Sequence, residues 1–142
     1  MSYIQDFYDS YERIFGKQTR INDSGLIFFD QFYKRFANAD DDIKKAFENT
    51  DMERQKRMLK KSLLYCVSFT LSDKSLEHMK GIGEIHDKNH LNINPKVYDT
   101  WLECMIATVK EFDPEFNSRI DLGWRLAFSQ GITMMKYMHS AC

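Results

Sequence analysis

Apolar residues recur every three or four positions along nearly the whole chain. That period fits α-helices and leaves no place for strands, whose faces alternate every second residue. Tyr3, Phe7, Tyr11 and Phe15 repeat at intervals of four, and Gly16 is a natural stop. Asp23 or Ser24 can cap a second helix holding Ile27, Phe28, Phe32, Tyr33 and Phe36. A short acidic link, Asp40 to Asp42, leads to Ile43, Ala46 and Phe47. Thr50 or Asp51 can cap the next helix, and Thr50 with Glu53 fits a capping box. That helix carries Met52, Gln55, Met58, Leu59, Leu63, Cys66 and Val67, with Arg54, Lys56, Arg57, Lys60 and Lys61 on its opposite face.

Ser72 can cap a shorter helix with Leu76, Met79, Ile82, Ile85 and His86, and HDKNHLNIN after it reads as a loop. Asn94-Pro95 is a strong start, a cap followed by proline in the first helical position. Tyr98, Trp101, Leu102, Met105, Ile106 and Val109 then form a stripe that Asp113-Pro114 breaks. A last helix after Asn117 carries Ile120, Trp124, Phe128, Ile132 and Met135. The expected architecture is all-α, six to eight helices in a single domain over residues 1–142. Hydrophobic residues at 43% suffice for one core, and six glycines with two prolines suit long elements.

A net charge of −1 offers no single-sign field, so neither nucleic acid nor an anionic membrane is an expected partner. Cys66, Cys104 and Cys142 form no metal or disulfide pattern, and Cys66 and Cys104 read as small core residues. No apolar run approaches the ~18 residues of a membrane span. The first residues lack a secretory core, which gives a cytoplasmic expectation.

His86 follows Met79 by seven residues and Ile82 by four, so it shares their inward face, unlike His78 and His139 among charged or terminal residues. Such a histidine either donates to a backbone carbonyl in the core or ligates a buried metal or haem iron. His86 and His90 are also spaced for zinc on one helix, but HDKNH lacks the glutamate of the HExxH pattern. Gly81 and Gly83 follow no strand, so they do not make a dinucleotide loop. Tyr33 and Gln55 are polar residues at inward positions of two helices. They either satisfy the backbone or each other, or converge as donors on a ligand.

Three stretches in order resemble the globin family, specifically bacterial single-domain globins and the haem domain of flavohaemoglobins. They are FYKRFANADDDIKKAF, Gln55 with Leu59, and GIGEIHDKNHLNINPKVYDTWLECM; the tail EFDPEFNSRIDLGWRLAFSQGI is similar to the family's last helix. The resemblance implies a globin fold around haem b, with His86 as the proximal iron ligand. Phe47 would lie against the porphyrin, Leu59 would border the distal pocket and Ile82 would line the haem. Tyr33 and Gln55 would hydrogen-bond the bound gas, and Tyr98 would stand behind His86 and orient its imidazole. His90 is the competing alignment for the proximal ligand. The place of the flavohaemoglobin glutamate on the last helix falls near His139.

The implied ligands are oxygen, nitric oxide and carbon monoxide. Two donors on bound oxygen imply slow release and possible nitric oxide dioxygenase turnover. An external reductase would have to supply the electrons, since the chain carries no flavin or nicotinamide motif. The alternatives are a haem-based gas or redox sensor acting through a protein partner, and a haem-free interaction module.

Overall fold

The computed structural model describes residues 3–16, 23–68, 81, 84 and 93–140, the side chains at 23–26, 64–68 and 138–140 excepted. The described elements are α1 (Tyr3–Phe15), α2 (Asp23–Ala37), α3 (Asp41–Ala46), α4 (Met52–Ser68), α5 (Lys96–Phe112) and α6 (Ser118–Ser140). No strand occurs among the described residues, and none of the described helices is long and apolar enough to cross a membrane. The helix expected from Ser72 to His86 and most of the HDKNHLNIN loop lie outside the described residues.

Each described boundary has a local cause. Gly16 ends α1 at a φ of 85°, a left-handed conformation that suits glycine, and its N–H donates to the Glu12 carbonyl at 2.8 Å. The acidic stretch expected as a link is the start of α3. Asp40 accepts from the Asp42 N–H at 2.7 Å, and Asp41 and Asp42 occupy the first turn, where the helix dipole favours anions. Asp51 caps α4 by accepting from the Arg54 N–H at 3.2 Å. The Thr50–Glu53 capping box is therefore out of register by one residue, because the third helical position is Arg54. Asn94 accepts from the Lys96 N–H at 3.0 Å, and Pro95 supplies a residue with no N–H to leave unpaired. Asn117 opens α6 by accepting from the N–H groups of Arg119 and Ile120, both at 3.0 Å.

The chain divides into two compact units, Met1–Asn49 with Thr100–Leu126, and Thr50–Asp99 with Ala127–Cys142. The first has an aromatic core. Phe28, Phe32, Phe36 and Tyr33 of α2 are buried as expected, but Ile27 is 55% exposed and Phe29 is buried instead. At 100° per residue Ile27 lies almost opposite the centre of that aromatic face. Phe7 stacks on Trp124 with ring centroids 4.6 Å apart, and Phe15 meets Phe28 edge-on at 5.0 Å. Gly123 permits the approach of α1 to α6, since a Cβ there would stand 2.7 Å from the Tyr3 carbonyl oxygen.

Three buried polar residues also belong to the first unit. Asp113, immediately after α5, accepts from Ser10 Oγ at 2.6 Å, from Arg13 Nε at 2.8 Å and Nη2 at 2.9 Å, and from the Glu115 N–H at 2.9 Å. Trp124 Nε1 donates to Ser10 Oγ at 2.9 Å, extending the network to α6. Thr108 accepts from Arg35 at 3.0 Å and donates to the Cys104 carbonyl at 2.7 Å. Cys104 is half-buried, and that burial pushes its thiol up. In the second unit Leu59, Leu63, Tyr98, Phe128 and Ile132 are buried, and Lys136 pairs with Asp99 at 2.7 Å.

Candidate functional site

Tyr98 stands in the first turn of α5, fixed there by the Asn94 cap and by its own N–H donating to the Pro95 carbonyl at 3.2 Å. Its side chain is buried, and its hydroxyl has no hydrogen-bond partner among the described residues. Burial pushes this phenol up to about 12, so it remains a protonated donor at neutral pH. An orphaned buried hydroxyl costs about 1–3 kcal/mol, so its presence here asks for a reason. His86, His90 and Ile82 lie outside the described residues.

Gln55 and Leu59 occupy successive turns of α4, which puts their side chains one above the other on one face. Leu59 is buried and Gln55 half-buried. The Gln55 N–H belongs to the helix, donating to the Asp51 carbonyl at 3.0 Å. These two residues and Tyr98 belong to the second unit.

Tyr33 and Phe47 belong to the first unit, which brings them together. Tyr33 is buried on α2 and meets Phe47 edge-on, with centroids 5.8 Å apart and planes at 73°. Phe36 meets Phe47 at 5.7 Å and 63°. Phe47 closes α3, its N–H donating to the carbonyls of Ile43 and Lys44 at 3.3 Å each. It is held by two rings and is half-buried. Among the described residues no group of histidine, cysteine, aspartate and glutamate is clustered to hold a metal ion.

Sequence reasoning missed the Ser10–Arg13–Asp113–Trp124 network. Asp113-Pro114 was legible as a helix break, but no periodic signal tells an aspartate turned into the core from one facing water. Arg35 was equally unmarked as the residue that reaches both Thr108 and Glu111.

No family model matches the chain, and no curated protein shows significant similarity to it. A solved structure from Pseudomonas aeruginosa PAO1, described as structurally highly homologous to a human haemoglobin, is similar to it at a TM-score of 0.82 and 26% identity. The match covers 97% of this chain and 98% of that one. The fold is therefore all-α and globin-like, as expected.

Proposed function

We propose that this chain is a haem-binding globin that takes a diatomic gas. The observation that carries this reading is the globin-like fold over 97% of the chain. Two features bear on the fit of haem. The Tyr98 hydroxyl is a buried donor that lacks an acceptor among the described residues, at the place where the resemblance sets a tyrosine beside the proximal imidazole. Phe47, half-buried beside two aromatic rings, suits a flat aromatic neighbour. On both counts the residues fit.

In this reading His86 holds the iron through one imidazole nitrogen. Tyr98 limits the rotation of that imidazole by hydrogen bonding near it, as outer partners of metal ligands generally do. Phe47, Leu59 and Ile82 line the group and keep water away from it. When bound, haem b supplies an iron with an open position for oxygen, nitric oxide or carbon monoxide. Tyr33 contributes a hydroxyl donor and Gln55 an amide donor toward that gas. Donation to a partly negative ligand is worth about 1.5–3 kcal/mol for each donor. Two such donors favour retention over rapid exchange. That property suits nitric oxide dioxygenase turnover with an external reductase better than bulk oxygen transport.

The test is the oxygen dissociation rate of the reconstituted ferrous protein, followed by stopped flow. Tyr33→Phe and Gln55→Leu should each accelerate release roughly ten-fold or more. Unchanged rates in both variants would remove Tyr33 and Gln55 from the gas site.

A further inference from the structure

The described arginines of the first unit reach carboxylates: Arg13 with Asp113 at 2.8 Å, Arg35 with Glu111 at 2.7 Å, Arg119 with Asp6 at 3.0 Å, and Arg125 with Asp121 at 2.6 Å. The cations of α4 differ. Lys56 pairs with Glu53 at 3.3 Å, whereas the side chains of Arg54, Arg57 and Lys61 have no carboxylate partner among the described residues. All three are exposed. At 100° per residue Arg54, Arg57, Met58 and Lys61 fall within an arc of about 100°, along roughly 10 Å of helix. Met58, at one edge of that arc, is 46% exposed. The chain as a whole is at −1, so the surface away from this stripe is on balance acidic.

We infer that this face of α4 is a docking surface for an acidic protein. Resting on the haem reading above, that protein is the one-electron carrier that returns ferric iron to ferrous by giving up one electron. Three exposed cations with no carboxylate partner among the described residues, beside a flexible, adaptable thioether, make a small patch that an acidic protein surface complements. The patch is short, so a flexible or compact acidic protein surface matches it better than a rigid duplex or a flat bilayer, whose further anions would lie against the acidic remainder of the chain. Exposed charge raises the encounter rate more than the lifetime of a complex, which suits a partner that must leave after each delivery.

The probe is fluorescein-labelled poly-L-glutamate, its binding followed by anisotropy at low salt. The triple variant Arg54→Gln/Arg57→Gln/Lys61→Gln should weaken binding roughly ten-fold, each exposed contact being modest. Lys34→Gln/Lys44→Gln/Lys45→Gln removes the same charge from other exposed positions and should change it less than two-fold, within the scatter of ~0.4 kcal/mol. If the α4 triple loses helix by circular dichroism, Arg57→Glu alone replaces it, with the same expectation. Reduction of the ferric haem protein by an acidic flavodoxin should slow in parallel. Loss of haem from the wild type would void that second arm, which charges the failure to the haem reading, while the poly-L-glutamate arm still judges the docking surface. Equal weakening by both triple variants overturns the proposal. So does tighter binding of the wild type to duplex DNA or to phosphatidylserine vesicles than to poly-L-glutamate.

Discussion

Asp113→Ala should cost about 3 kcal/mol of folding stability, the lower end of the range for breaking a buried ion pair. The carboxylate is fully buried, while the Arg13 side chain keeps 26% of its surface and recovers some hydration when the partner goes. The loss spreads beyond one pair. Ser10 Oγ would lose its acceptor at 2.6 Å, and the Trp124 indole that donates to Ser10 would be held less firmly. The Glu115 N–H would be orphaned in the turn after α5. For a chain of this length the melting temperature should fall by roughly 10 °C, followed by circular dichroism. A fall under about 2 °C would mean that water replaces these bonds without penalty.

The same carboxylate sets an acid limit. Burial by itself would raise the Asp113 carboxyl, but the hydrogen bonds from Arg13, Ser10 and the Glu115 N–H outweigh it and hold the group below its usual range. A depressed carboxyl stabilises the fold fully above the unfolded value of about 3.9 and loses that contribution as pH falls through the folded value. The stability gap between wild type and Asp113→Asn should be constant above about pH 5 and close below about pH 4. Urea titrations at stepped pH measure it.

His86→Ala should abolish stable haem retention while leaving the helical spectrum intact. Loss of groups that merely support a metal ligand costs 10–100-fold in affinity as a rule, so loss of the ligand itself should cost on the order of a hundred-fold or more. Added imidazole should restore the absorption of the haem protein, because it replaces the missing ring in the space left by alanine. His90→Ala should leave both retention and spectrum unchanged. If His90→Ala is the variant that loses haem, the competing alignment is the right one and the helix before it is read one turn short.

The fold was legible because helices announce themselves at both ends and along one face. Gly16, Asn94-Pro95, Asp113-Pro114 and Asn117 marked boundaries by chemistry that does not depend on the rest of the chain. The errors came where two signals competed. Thr50 and Asp51 are both capping residues, and only the backbone shows that Asp51 wins. Ile27 and Phe29 are both apolar beside Phe28, and the face that packs took the aromatic one. The candidate site was legible in part. Tyr33, Leu59 and Tyr98 are buried as their periodic positions imply, and Tyr98 showed its orphaned hydroxyl only in three dimensions. Nothing local in a sequence tells a buried hydroxyl with a partner from one without.

The most direct measurement is an absorption titration of the purified chain with haemin, then reduction and addition of carbon monoxide. One haem per chain should bind saturably, and the Soret band should shift and sharpen with carbon monoxide as the open position fills. An intact helical protein that binds no haem, or whose reduced spectrum ignores carbon monoxide, would contradict a gas-binding globin outright.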